Sequence, residues 1–483
     1  MVVSLSKNVI DWLEKNREEF ITISDQIWSY AEIGLLEEKS SNLLAYTLEE
    51  AGFKVERGVA FMPTAFIASY GTEKPVIAIL GEYDALPGLS QNTEPIKKPL
   101  KEGAPGHGCG HNLLGVAGLA AALAIKEAIK SGKVIGTILY YGCPAEENVD
   151  AKAGMVKEGY FKDVDISLTW HPDDMNNVWS INFQAIFSVV FKFHGRTAHA
   201  AADPFNGRSA LDAVELMNVG CNYLREHIIP DARIHYTITN GGEAPNIVPE
   251  DAAVWYFIRA PRVTQVRDIY PRVVKIAEGA ALMTETELEI EFQGGSANML
   301  PNYVLEDIIH QKMEELGSPP FDEEDHKFAQ KIIKTFPKGY FDNSLTIMPR
   351  DMQEVVEQFR GIDFCDKILP IVGRGYTMPG STDVGDVSWV IPLAQFSTAC
   401  CAIGTPGHSW QLVAQVGMGI GHKGMLHAAK ILALTTIELL QNPELVEKAR
   451  EEFDERIKKS PYESSLPDDW RPPIEHVRQV YSK

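Results

Sequence analysis

The sequence predicts an α/β fold: a mostly parallel sheet with helices on both faces, interrupted by an α+β unit of ferredoxin-like order. Three observations carry this. The run Pro75-Val-Ile-Ala-Ile-Leu-Gly-Glu-Tyr83 is apolar without alternation, as strands covered on both faces are. From there to Trp170, strand and helix patterns alternate. Beyond residue 185 the order becomes β-α-β-β-α-β, and the first pattern then resumes. A chain of 483 residues also exceeds what one compact core accommodates, so two domains are expected.

Each element has its own signal. Residues 9–51 read as helices, with Ile10, Trp12 and Leu13 and later Leu43, Leu44 and Leu48 at helical spacing. The strand 75–83 follows, then a Gly/Pro-rich loop over 87–110. A helix is predicted over 113–131, a strand over 134–141, a helix over 151–161 and a strand over 165–170. The insert reads as strand 186–194, helix 207–228, strands 234–239 and 252–258, helix 263–283 and strand 285–292. Helices resume at Tyr303, with a strand over 395–401 and a long helix over 423–440. The domains are therefore 1–184, 185–298 and 299–483, the first and last forming one discontinuous unit. The tail after Pro443 reads as a solvated helix and an extended end.

Composition removes several function classes. Lys plus Arg number 45 against 66 Asp plus Glu, a formal charge of −21. That field repels phosphate backbones and anionic lipid, so neither nucleic acid nor a membrane is expected as a partner. An anionic substrate would need its own local Arg, Lys or His. The cysteines at 109, 143, 221, 365, 400 and 401 form no disulfide framework. The N-terminus has no signal-peptide core. The most apolar helix, 113–129, is interrupted by Gly115, Gly118, Lys126 and Glu127, and falls short of the roughly 20 residues a membrane span requires. A cytoplasmic location is expected.

The candidate chemistry lies at the strand ends. Asp84 follows the strand ending at Tyr83, Glu146 and Glu147 the one ending at Tyr141, and His171 the one ending at Trp170. Cys109 and His111 sit in a glycine-rich turn that opens a helix, and His408 follows the strand near Cys401. Parallel α/β sheets bind ligands beyond the carboxyl ends of their strands. A thiolate, three imidazoles and a carboxylate suit zinc and tolerate manganese or cobalt. Each residue also has a plainer reading. Cys109 could be a small buried hydrophobe, His171 a hydrogen-bonded structural histidine, and Pro-Gly-His408 an ordinary loop. Adjacent acids such as Glu146 and Glu147 suit a helix N-terminus. They equally suit a division of labour, one carboxylate on a metal and the other moving protons.

These residues carry a family resemblance. Gly81-Glu-Tyr-Asp-Ala-Leu-Pro87, Gly108-Cys-Gly-His-Asn112, Cys143-Pro-Ala-Glu-Glu147 and Trp170-His-Pro172 resemble the metallo-amidohydrolase family of aminoacylases, carboxypeptidases and auxin-conjugate hydrolases. Gly195-Arg-Thr-Ala-His-Ala-Ala201 and Asp203-Pro-Phe-Asn-Gly-Arg208 resemble the start of that family's dimerisation, or lid, domain. Gly380-Ser-Thr-Asp-Val-Gly-Asp386 and His408-Ser-Trp-Gln-Leu-Val-Ala-Gln415 resemble one branch, that of the p-aminobenzoyl-glutamate hydrolases and specifically of their B component. Nearly the whole chain is covered, in the same motif order.

The resemblance implies two divalent metal ions, zinc or manganese, held by Cys109, His111, Glu147, His171 and His408, with Cys109 as the bridging group. It implies Glu146 as general base and Asp84 as the carboxylate that orients a ligand. His199 would reach across a dimer to the neighbouring subunit's substrate, and Asn246 and Arg259 would hold the substrate carboxylate. A partly exposed loop histidine and a strand arginine are the plainer readings of His199 and Arg259. The implied substrate is a small N-acyl or N-aroyl amino acid, the implied assembly a homodimer or a heteromer with a homologous subunit. A dipeptidase on the same scaffold and an inactive partner subunit are the alternatives. No Gly-x-Gly-x-x-Gly turn joins a strand to a helix, which disfavours an oxidoreductase. The chain departs from many relatives at Asn112, where they have Asp, and at Glu82, where they often have His. Relatives outside the branch lack much of the segment 318–379, which is expected at the substrate mouth. His107, His422 and His427 are not expected to be ligands.

Overall fold

The computed structural model describes residues 2–147 and 151–481. In chain order the strands are β1 (Lys54–Arg57), β2 (Phe66–Tyr70), β3 (Val76–Glu82), β4 (Thr137–Cys143), β5 (Ile166–Asp173), β6 (Asn177–Val178) and β7 (Asn182–Phe183). The insert supplies β8 (Ala185–His194), β9 (Arg233–Asn240), β10 (Asp251–Ala260) and β11 (Glu287–Ser296). The returning chain adds β12 (Thr377–Met378) and β13 (Leu393–Ala399).

The larger sheet has the order β1-β2-β4-β3-β5-β13-β6. Its centre, β4-β3-β5-β13, is parallel throughout, while β1, β2 and β6 add antiparallel edges. Successive side chains of β3 face opposite ways, as the pleat requires. Ile77 and Ile79 enter a core built with the helices Val2–Lys15, Arg17–Tyr30, His111–Lys130, Tyr303–Leu316 and Gly419–Gln441. Ala78 and Leu80 enter another, with Ala151–Lys157 and Val384–Ser388. Burial on both faces explains the unbroken apolar run.

Two expectations need correction. The apolar helix reaches 20 residues, His111–Lys130, so its length does meet the span requirement. It is nonetheless a core helix, since Leu113, Val116, Leu119 and Ile125 are completely buried against its neighbours. The C-terminal end is not a solvated extension either. Beyond the helix Pro443–Ile457, Tyr462 donates to Asp386 at 2.6 Å, and buried Trp470 donates from Nε1 to the Gln293 carbonyl at 2.9 Å. Apolar residues hidden in a charged tail fasten it across both sheets.

The insert forms a four-stranded antiparallel sheet in the order β11-β8-β10-β9. Its helices Ala210–Leu224 and Val263–Thr284 share one core with the strands. This is the β-α-β-β-α-β order read from the sequence. Among the described residues, β9 has no strand on its outer side.

Candidate active site

The four parallel strands deliver the candidate residues to one end of the larger sheet. Glu82 ends β3 and Asp84 follows it, Glu146 and Glu147 follow β4, and His171 lies near the end of β5. His408 stands in the loop after β13, and its amide donates to the Gly108 carbonyl at 3.0 Å, tying that loop to the Cys109 turn. Gly110, at φ 79°, lets the turn pass over Pro172 on its way into the helix His111–Lys130.

Donor atoms converge in two overlapping sets. Those of Cys109, His111 and His171 lie within 4.8 Å of one another, and so do those of Cys109, Glu147 and His408. Cys109 belongs to both. Its Sγ is 3.4 Å from His171 Nε2, and His408 Nε2 is 3.5 Å from Glu147 Oε2. A third set joins Glu82, His111 and Glu146.

Hydrogen bonds aim these groups. His111 Nδ1 donates to Asp84 Oδ1 at 2.8 Å, and the Glu147 amide donates to Asp84 Oδ2 at 2.9 Å. One buried carboxylate thus orients two of the candidate ligands. His171 Nδ1 donates to the Pro172 carbonyl at 2.7 Å, leaving Nε2 as the lone pair facing Cys109. His171 also stacks on Trp179, with ring centroids 5.2 Å apart.

The site fits divalent metal. His111 Nε2 and Glu147 Oε1 are buried without a hydrogen-bond partner, although Glu82 Oε2 lies 3.2 Å from the former. Each such atom costs about 1–3 kcal/mol when left unsatisfied. Burial and the charges of Glu82 and Glu147 push the Glu146 carboxyl well above its usual range. Burial raises Glu147 as well, against the pull of His111 and His408. Burial, then the His111 charge, draws His171 down to about 4, so its imidazole is neutral. Crowded carboxylates, orphaned donors and a neutral imidazole are the surroundings a dication relieves.

Four buried side chains stand behind the site without having been candidates for its chemistry. Lys152 Nζ lies 2.7 Å from Glu82 Oε1 and 2.5 Å from Asp383 Oδ1, all three groups out of solvent. Glu37 accepts the Ala145 amide at 2.8 Å and the Thr64 hydroxyl at 2.9 Å, bracing a turn in which Ala145 has φ 56°. Asp383 falls within the motif spanning Gly380 to Asp386, and Glu82 stands where relatives often have His. Lys152 and Glu37 give no local signal, since their partners are far along the chain. Asn112 is explained by its amide, which donates to Ser24 Oγ at 3.1 Å and to the Val416 carbonyl at 3.0 Å. An aspartate could not make those bonds. His107, His422 and His427 are held by the Ile27 carbonyl, Asp25 and the Gly317 carbonyl.

The remaining candidates lie on the insert. His199 is exposed, and its Nδ1 accepts the amides of Ala201 (3.2 Å) and Ala202 (3.1 Å). Its neutral ring therefore carries the proton on Nε2. Exposed Asn246 is its neighbour, since its carbonyl accepts the Ala200 amide and Ile247 bridges His199. Arg259 is eight residues beyond the start of β10, which at about 3.3 Å per residue puts it roughly 26 Å further along. There its Nη1 donates to Ser381 Oγ at 3.0 Å, two residues from Asp383. The chain gathers Asp84, Cys109, His111, Glu146, Glu147, His171 and His408 at one place, and Arg259 is bonded to Ser381 of the returning chain. It holds His199 and Asn246 at the other end of the insert.

Residues 184–284 match the family model of the peptidase dimerisation domain. The chain is 45% identical to the B component of the p-aminobenzoyl-glutamate hydrolase of Escherichia coli, over 95% of this chain and 96% of that protein. It is 28% identical to the Xaa-Arg dipeptidase of Mus musculus, covering 93% and 92% of the two chains. Among solved structures it resembles a Bacillus subtilis protein described as a dinuclear metal binding peptidase from the M20 family. The TM-score is 0.51 at 14% identity, over 88% of this chain and 99% of that one.

Proposed function

The chain belongs to the M20 peptidase family and is a hydrolase of that family; from that premise we propose that it cleaves the amide bond of an N-acyl or N-aroyl amino acid, p-aminobenzoyl-glutamate being the model substrate. The observation that carries this is the pair of donor sets sharing Cys109, with Glu146 in a further set that shares His111.

Cys109, His111, Glu147, His171 and His408 would hold two divalent ions, zinc or manganese, Cys109 being common to both donor sets. When bound, these ions activate water and polarise the scissile carbonyl. Glu146 accepts a proton from the attacking water and returns it to the leaving amine. Arg259 attracts the substrate carboxylate, a local cation in a chain of net charge −21. His199 presents Nε2–H, a donor suited to the oxyanion. About 26 Å of strand separates its end of the insert from Arg259, so we place His199 and Asn246 at the cleft of a second chain. Among the described residues no strand covers the outer edge of β9, where a like strand would pair. The second chain is a copy or, as the naming of the Escherichia coli relative as one component of a hydrolase suggests, a homologous partner. The cytoplasm is the proposed location.

The dipeptidase relative supports a second reading in which the acyl side bears a free amine. Assay of the metal-loaded protein on N-benzoyl-glutamate, N-acetyl-glutamate and a free dipeptide separates the two. Turnover of the acylated compounds, lowered roughly 10²–10⁴-fold by Glu146→Gln at unchanged metal content, is expected. Full turnover by Glu146→Gln would overturn the assignment of the base.

A further inference from the structure

A cavity of about 250 Å³ lies between the end of β5 with the strip that follows it and Gly404 of the loop that carries His408. Trp179 forms its inner wall, stacked on His171 and meeting Phe183 at 5.3 Å between centroids. Its outer wall is Phe341, Met348 and Met352, from the helices Tyr340–Leu345 and Arg350–Val356 and their connection. These belong to the segment 318–379, which the proposed mechanism leaves without a role. Gly404 closes another side, four residues before His408, and its amide donates to Asp174 Oδ2 at 2.6 Å.

The outer wall is fastened down. β12 pairs with β7, the Asn182 amide donates to the Tyr376 carbonyl at 2.8 Å, and Arg374 Nε donates to Ser180 Oγ at 3.3 Å. Gly373, at φ 78°, lies where a Cβ would strike both Ile181 and Met352 at 2.8 Å. The segment therefore closes directly over the strip that bears Trp179.

We propose that this cavity is the acyl pocket and that residues 340–378 are the specificity element, selecting a flat aromatic acyl group. The proposal rests on the amidohydrolase reading above. An apolar cavity of about 150 Å³ holds benzene, so 250 Å³ takes a substituted ring. Aromatic and thioether walls favour ring faces and edges. Asp173 and Asp174 line one end, where an amino substituent on the ring finds carboxyl oxygens to donate to.

Ser344 is the small residue on the outer wall, and Ser344→Phe fills the cavity. We expect the ratio of kcat/KM for N-benzoyl-glutamate to that for N-acetyl-glutamate to fall at least about tenfold. Met348→Ala, which widens the cavity, should raise the ratio for N-naphthoyl over N-benzoyl-glutamate about threefold or more. Binding of benzamide, a neutral aroyl amide, should weaken about tenfold in Ser344→Phe by calorimetry. Calorimetry on metal-free protein decides the pocket even where no turnover is seen, whereas absent turnover with benzamide bound overturns only the amidohydrolase reading. Unchanged substrate ratios in both variants, or equal benzamide binding by wild type and Ser344→Phe, would overturn the pocket.

Discussion

The cleft and the tip of the insert both present histidines, and they hold them in opposite ways. At the cleft, His111 is buried and fixed by Asp84, while His171 is clamped between Pro172, Cys109 and Trp179. Behind them stand Glu82, Lys152 and Asp383, none of them in water. At the tip, His199 is exposed and takes its orientation from two amides within three residues. The cleft holds its histidines in place by buried partners already present in the chain. The tip is one exposed imidazole, its Nδ1 held by two amides and its Nε2 left as the donor.

The largest test of that contrast is Lys152→Met. It strands Glu82 and Asp383 in the core, and breaking a buried ion pair costs about 3–5 kcal/mol. Urea unfolding should show stability falling by that margin, while a near-wild-type midpoint would mean the buried charges do not support the cleft. Conversely, His199→Ala should leave Tm within about 2 °C. It should still lower kcat about 10²–10³-fold, the cost of one oxyanion donor. Unaltered kcat would remove the tip from the reaction. Smaller again is Asp84→Asn, where the expected loss is about 10–100-fold in metal affinity, read by competition with a chelating dye. An unchanged affinity would show that Asp84 does not tune His111 as a ligand.

The same contrast governs what the sequence discloses. β3, the helix after it and the order of the insert are local patterns of apolar spacing, and they read directly. Cleft residues read almost as well, because His171 lies near the end of a strand and Glu146 and His408 each follow one, so that all three share one edge of the sheet. Lys152 and Glu37 do not, since their partners lie 231 and 108 residues away and an isolated polar residue in an apolar stretch has no period. The tail misleads for a related reason: Tyr462, Leu466 and Trp470 are scattered among charges, and only the fold shows what buries them. Segment 318–379 has helices but no chemistry of its own, and its place becomes visible only through the cavity it closes.

If a working site takes its cleft from one chain and its donor from another, two inactive variants must repair each other. His199→Ala and Glu146→Gln, each inactive alone, should be dissociated, mixed in equal amounts and reassociated, then assayed on N-benzoyl-glutamate. A mixed dimer has one site with an intact cleft facing an intact His199, so about a quarter of wild-type activity should return. No recovery, with mixed dimers demonstrated by mass spectrometry, would contradict the two-chain site and return His199 to the surface of a self-sufficient subunit.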